Sequence, residues 1–243
     1  MIPTRKLTVI TAYPLLCMAH GDEGNARVLR HRAALRGIEA AAETVYSGPL
    51  PTADIYLIGG ESGADLPDLA RALAALPDAV ADGAVVLGVN AGYQVLGEVY
   101  PTPDGTSHPG LGLLPVRTSA ARYVEGPVVT LPNRALGLPA MSGYECHATR
   151  TELDDGALPL TALRLGVCNG GRPPVDGALR GRVVGTYLHG PVLARNPELA
   201  DLLLGWALGM PLEPAEPGYA GAARAQRIVE DLTDQSGWAG ARH

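Results

Sequence analysis

An α/β fold is what this sequence predicts: a mostly parallel, doubly wound sheet flanked by helices, with a smaller antiparallel extension in the second half. Three observations lead there. Near-continuous apolar runs such as "LTVITAYP" (7–14), "ADIYLIGG" (53–60) and "GAVVLGVN" (83–90) read as strands buried on both faces. Helical patterns separate them, the alternation expected of a parallel sheet. Past residue 100 the pattern changes to short strand candidates, "PVVTLP" and "LTALRLGV", set among Pro/Gly turns.

Taken in order, Pro14 ends the first strand. "GDEGNARVLRHRAALRG" opens a helix on Gly and Asp, places Ala26, Leu29, Ala33 and Ala34 at helical spacing, and stops at Gly37. "IEAAAETVYS" is the second strand, and "ADIYLIGG" the third. "DLPDLARALAAL" reads as one helix from Asp65, with Pro67 in a first turn that has no N–H to lose. The fourth strand, "GAVVLGVN", feeds a helix over "GYQVLGEVY". After the antiparallel region, "GRVVGTYLHGP" is another strand, ending in a histidine, and "NPELADLLLGWALGM" a late helix. The tail from Pro211 is Ala/Gly/Pro-rich, with one amphipathic piece, "AARAQRIVEDL", and a loose tip, "DQSGWAGARH". With neither repeat nor linker, residues 1–243 read as a single domain, its core at about 7–210 and its tail at about 211–243.

Composition excludes several classes of function. Apolar residues make up 47% and charged residues 18%, ordinary for a globular chain, and with Phe absent the core must be aliphatic. A net charge of −6 argues against a nucleic-acid binder, which needs a basic face. The first apolar run is about half a membrane span and lacks a small-residue cleavage site, so it reads as a strand and neither an anchor nor a leader. Cys17, Cys146 and Cys168 are odd in number and far apart, which suits a reducing cytoplasm and gives no disulfide framework. Their spacing does not suggest a metal site. Asp22 and Glu23 read as acids serving a helix dipole. No cofactor is expected.

The chemistry gathers at three strand ends: "LIGG" (57–60), "GVNAG" (88–92) and "GTYLHG" (185–190). In a doubly wound sheet, sites form where loops leave the carboxyl ends of strands. A histidine, a strand-to-helix elbow and a Gly-Gly turn are the base, nucleophile and oxyanion donors of an acyl-transfer site. The elbow, however, carries Asn90 at its tip, and a carboxamide cannot attack a carbonyl. Asn tolerates positive φ better than most residues. It can therefore keep the backbone shape of an elbow while discarding its chemistry.

The segments "YPLLCMAHGDEGN", "DIYLIGGESGAD", "GYQVLG", "GYECHATRTEL" and "GTYLHGPVLARNPELAD" together resemble class I glutamine amidotransferase domains of the cobyric acid synthase type. The similarity is strongest to the glutaminase subunit of lipid II isoglutaminyl synthase, and spans roughly residues 7–210. In that family the elbow reads "CGGYQ", its cysteine forming a glutamyl thioester; here it reads "NAGYQ". The resemblance implies that Asn90 takes the nucleophile position and that His189 takes that of the base. It further implies oxyanion and ligand contacts from Gly59, Gly60, Ala91, Gln94 and Arg122. Pro191 stands where many class I amidotransferases carry a glutamate, and the isoglutaminyl synthase branch is thought to borrow that carboxylate from its partner.

The expected function is therefore a glutamine amidotransferase-like subunit without glutaminase activity, docking on a Mur-ligase-like partner. A small amide or amino acid such as glutamine is the expected ligand, and neither nucleic acid nor membrane is. Alternatives are changed chemistry on an amide through His189, ammonia supply to cell-wall or cobalamin-type amidation, and amino-acid sensing. Without a thiol, Asn90 is the expected partner of His189. His147 reads as a hydrogen-bonded structural histidine, Cys146 as a small buried hydrophobe; none of the three cysteines is expected to act as a nucleophile.

Overall fold

The computed structural model describes residues 6–14, 22–60, 65–189, 191–213 and 219–233. Its first sheet is built on β1 (Leu7–Ala12), β3 (Ile55–Ile58) and β4 (Val85–Val89), which lie side by side in parallel. Strand β2 (Ala40–Val45) flanks β1 and β12 (Val183–Thr186) flanks β4, both parallel. A short antiparallel strand, β11 (Ala178–Arg180), closes the far edge. Strands β3, β4 and β12 are buried at every residue, as their uninterrupted apolar sequences require. β2, at the edge, is half-exposed and accommodates Glu43.

Helix α1 (Asp22–Ala34) buries Ala26, Leu29 and Ala33, while Ala34 faces outward. It is tied to α6 (Pro197–Leu208) by Asp201, whose carboxylate accepts from Arg32 at 2.5 Å and from Arg36 at 2.8 Å. The helix expected over residues 65–76 is shorter, α2 (Leu66–Ala72), and a second helix that the sequence did not mark, α3 (Leu76–Ala81), starts where the expected one ended. Pro77 explains the break: it has no N–H for a preceding carbonyl, yet fits the first turn of a new helix. Likewise α4 (Ala91–Leu96) is shorter than expected. It stops at Gly97, whose backbone is extended, and the chain continues as β5 (Val99–Pro101).

The second sheet is larger than its short sequence signals suggested. Strand β7 (Val116–Thr130) and β8 (Ser142–Leu153) pair antiparallel as a long ribbon, with a register shift between Ala120 and Val124. Around β7 lie β5, β6 (Ser107–Pro109), β9 (Thr161–Leu165) and β10 (Val175–Asp176). The outer half of β7, "TSAARYVE", is polar and largely exposed, so it lacks the alternation that announces a half-buried strand. One apolar cluster runs from β1, β3 and β4 to Val116, Val128 and Leu160. Helices α5 (Val192–Arg195) and α7 (Tyr219–Thr233) follow the last strand of the first sheet, and α7 packs against β7 and β8. An Arg224–Glu198 ion pair joins α7 to α6. The amphipathic tail piece is thus a helix, while the tip from residue 234 lies outside the described residues.

Candidate functional site

Strands β12, β4 and β3 are adjacent, and their carboxyl ends carry the three segments singled out above. Ile58 lies opposite Gly88, and Thr186 opposite Val89, so the Gly59–Gly60 turn, Asn90 and the run to His189 leave the sheet at one level. The Asn90 N–H donates to the Thr186 carbonyl at 2.9 Å, which fixes the elbow to the strand leading to His189.

Asn90 sits at the tip of that elbow with φ 50° and ψ −102°, outside the regions open to most residues. It is buried, and its side-chain Oδ1 accepts from Gln94 Nε2 at 3.1 Å across the first turn of α4. Close approach of helix and strand needs a small residue at position 92. A Cβ on Gly92 would stand 2.0 Å from the Ile58 carbonyl oxygen. The Ala91 N–H, the donor expected to face a substrate oxygen, instead donates to the Gly60 carbonyl at 3.2 Å. Gly60 has φ 121°, a conformation that side chains rarely adopt.

His189 is half-buried, and its backbone N–H donates to the Tyr144 carbonyl at 2.8 Å, pinning the end of the β12 segment to β8. Every backbone N–H between strand and imidazole is engaged. Tyr187 N–H donates to Asp176 Oδ1 at 3.0 Å, and Leu188 N–H to Thr186 Oγ1 at 3.0 Å. The Thr186 hydroxyl donates to Asp176 Oδ2 at 2.5 Å. The ring of Tyr187 meets Tyr93 of α4 edge-on at 5.1 Å and stacks on His147 at 4.0 Å. Burial pushes the Tyr187 phenol up to about 12, so it stays neutral; its oxygen accepts from the Thr149 hydroxyl and shares a hydrogen bond with that of Thr151.

Behind this layer lie two carboxylates that the sequence did not mark. Glu145, fully buried, accepts the Val167 and Cys168 N–H groups at 2.6 and 2.5 Å, with His147 Nε2 at 3.4 Å. Asp176 is buried completely, and desolvation pushes its carboxyl up to about 6. Neither position has a local motif, and only tertiary packing brings Glu145 to His147 and Asp176 to Thr186 and Tyr187. His147 is buried with Nδ1 against Thr149, in keeping with a structural histidine.

Arg122 lies elsewhere in character, exposed on β7 inside the register shift of the ribbon. Cys146 is half-buried rather than buried, with its Sγ 3.2 Å from the Tyr123 hydroxyl, because it faces the outer side of the ribbon. Cys168 is wholly buried, and desolvation raises its thiol well above the ordinary range. Cys17, residues 61–64 and Gly190 lie outside the described residues. Among the described residues, no group of three or more His, Cys, Asp or Glu is arranged to hold a metal ion. No helix among them is long and apolar enough to cross a membrane.

Residues 8–197 match the CobB/CobQ-like glutamine amidotransferase domain. The lipid II isoglutaminyl synthase (glutamine-hydrolyzing) subunit GatD of Staphylococcus aureus is 33% identical over 227 residues, covering 89% of this chain and 91% of that protein. A cobyric acid synthase of Mycolicibacterium gilvum is 35% identical over 214 residues, 82% of this chain but only 39% of that longer protein. Among solved structures, a glutamine amidotransferase superposes with TM-score 0.54 at 20% identity, covering 82% of this chain and 98% of that one. The glutaminase domain of Trypanosoma brucei CTPS with bound acivicin gives 0.52 at 11% identity, over 85% and 96% of the two chains. These two likenesses establish the architecture. With four-fifths of its length matched and a relative of this identity over nearly all of it, the chain belongs to the CobB/CobQ-like glutamine amidotransferase family.

Proposed function

We propose that this chain is a glutamine amidotransferase-like subunit that has lost thioester-based glutamine hydrolysis and keeps its pocket for binding and docking. The carrying observation is Asn90 at the elbow tip, its carboxamide bonded to Gln94. In this reading Asn90 replaces the family's cysteine, and no group at the tip can form an acyl intermediate. Magnitude supports it. An active site stripped of its nucleophile retains only ~10³–10⁴-fold over water, from oxyanion stabilisation and binding. That is too slow to feed ammonia to a ligase.

His189, Gly59, Gly60, Ala91 and Gln94 then form a ligand pocket for glutamine or a related amide, with His189 and Asn90 as hydrogen-bond partners and Arg122 of the exposed ribbon as an outlying ligand contact. The relative matched along 91% of its length is named as a subunit of a synthase, which favours a ligase-type, Mur-ligase-like partner in cell-wall precursor amidation, in the cytoplasm. An ammonia-release assay on glutamine, with Asn90→Cys as the control, tests the reading. Wild type is expected to stay at background while Asn90→Cys rises above it. Wild-type turnover near the ~10 s⁻¹ of a typical enzyme would overturn the proposal.

A further inference from the structure

Asp176 is a buried carboxylate whose hydrogen bonds hold the end of β12, and both halves of the site hang from that end. Oδ2 takes the Thr186 hydroxyl and Oδ1 the Tyr187 N–H. The Thr186 oxygen so oriented accepts the Leu188 N–H, and the Thr186 carbonyl accepts the Asn90 N–H. Past that point, only the Leu188–His189 step remains before the imidazole, and the His189 N–H is held by Tyr144.

We propose that Asp176 is the positioning residue of the site, setting the imidazole of His189 and the tip of the elbow at Asn90 through Thr186 and Tyr187. The arrangement suits that role better than simple space-filling. A buried carboxylate costs desolvation that an apolar side chain would not, and it is tolerated where its lone pairs are matched. Here one carboxylate satisfies a hydroxyl and a backbone donor that β-pairing leaves over at the end of β12. The chain there has left the sheet, and the Tyr187 N–H has this side chain, not a strand carbonyl, as its acceptor. Position 176 also tolerates a proton without losing its contacts. If Asp176 carries one, the O–H donates to Thr186 Oγ1, which keeps a lone pair for Leu188; the bond reverses, and the Thr186 hydroxyl proton turns away from Oδ2.

That reversal supplies the discriminating variant. Asp176→Asn can donate from Nδ2 to Thr186 Oγ1 and accept the Tyr187 N–H at Oδ1, whereas Asp176→Ala can do neither. Both variants, with Thr186→Val, are compared with wild type by amide hydrogen exchange and by NMR of the His189 ring. In Asp176→Ala, exchange at Tyr187 and Leu188 is expected to rise about tenfold or more and the ring signals to shift, while β1 and β2 amides keep their rates. Asp176→Asn is expected to stay within about twofold of wild type at those amides. A folded Asp176→Ala protein with unchanged exchange at both amides and unmoved His189 signals overturns the proposal.

Should Asp176→Ala not fold, Thr186→Val decides, since it removes the hydroxyl at nearly constant shape. Wild-type exchange at Leu188 together with unmoved His189 signals in that variant would likewise overturn it. These readouts need no turnover. Their failure leaves the loss of hydrolysis standing, and ammonia release by wild type would remove that reading without touching this one.

Discussion

The backbone N–H of Ala91 donates to the carbonyl oxygen of Gly60 at 3.2 Å, so the donor that an acyl-transfer elbow aims at its substrate is already engaged. Hydrolysis through a thioester needs both a nucleophile and a free donor at this point. The tip residue here is a carboxamide and the donor is capped by the chain's own turn.

Placing a thiol at position 90 therefore supplies only part of the chemistry. Loss of one oxyanion donor typically costs about 10²–10³-fold in turnover. Asn90→Cys is expected to release ammonia faster than wild type, yet to remain about 10²-fold below an ordinary glutaminase. A steady-state ammonia assay checks this; full activity from the single change would mean that the Gly60 carbonyl yields easily.

The elbow's close packing leaves no room for a side chain at Gly92. An added Cβ would meet the Ile58 carbonyl oxygen at 2.0 Å, backbone against which no rotamer can relieve the overlap. Gly92→Ala is expected to lose about 3 kcal/mol in urea unfolding, despite the better helix propensity of Ala.

Asp176 gives stability a pH dependence of definite sign. Its carboxyl rises from 3.8 to about 6 through burial, with Glu145 adding like charge and Thr186, Tyr187 N–H and Cys168 opposing the rise. Between those values the folded state holds a proton that the unfolded state has released, so this group's contribution falls as pH rises from about 4 to 6 and is flat above. Asp176→Asn lacks that loss. Its stability relative to wild type is expected to grow by about 3 kcal/mol across the window, measured by denaturant titration at each pH.

Thiol exposure separates two of the cysteines. Cys146 is half-buried on the outer face of the ribbon, whereas Cys168 is enclosed and its thiol is pushed up by burial. An alkylating reagent applied to the native protein is expected to modify Cys146 and spare Cys168, read by peptide mass mapping.

Much of this arrangement is legible in the residues because the signals are local. Strands β1, β3, β4 and β12 declare themselves as apolar runs, and the Gly60, Asn90 and His189 segments are each marked by a turn at a strand end. What escapes is set by distant contacts. The polar outer half of β7 is held by pairing with β8, not by its own pattern. The second helix, α3, starts at Pro77's turn and lies just past the run read as a helix. Glu145 and Asp176 acquire their roles only when β8, β10 and β12 converge behind Tyr187.

Covalent trapping bears most directly on the proposal that no cysteine acts as a nucleophile. Wild type and Asn90→Cys are incubated with an electrophilic glutamine analogue, and the intact masses and modified peptides are recorded. No adduct that competing glutamine blocks is predicted on Cys17, Cys146 or Cys168 of wild type, and a single such adduct at position 90 in the variant. A stoichiometric adduct on any wild-type cysteine, blocked by competing glutamine, would contradict it.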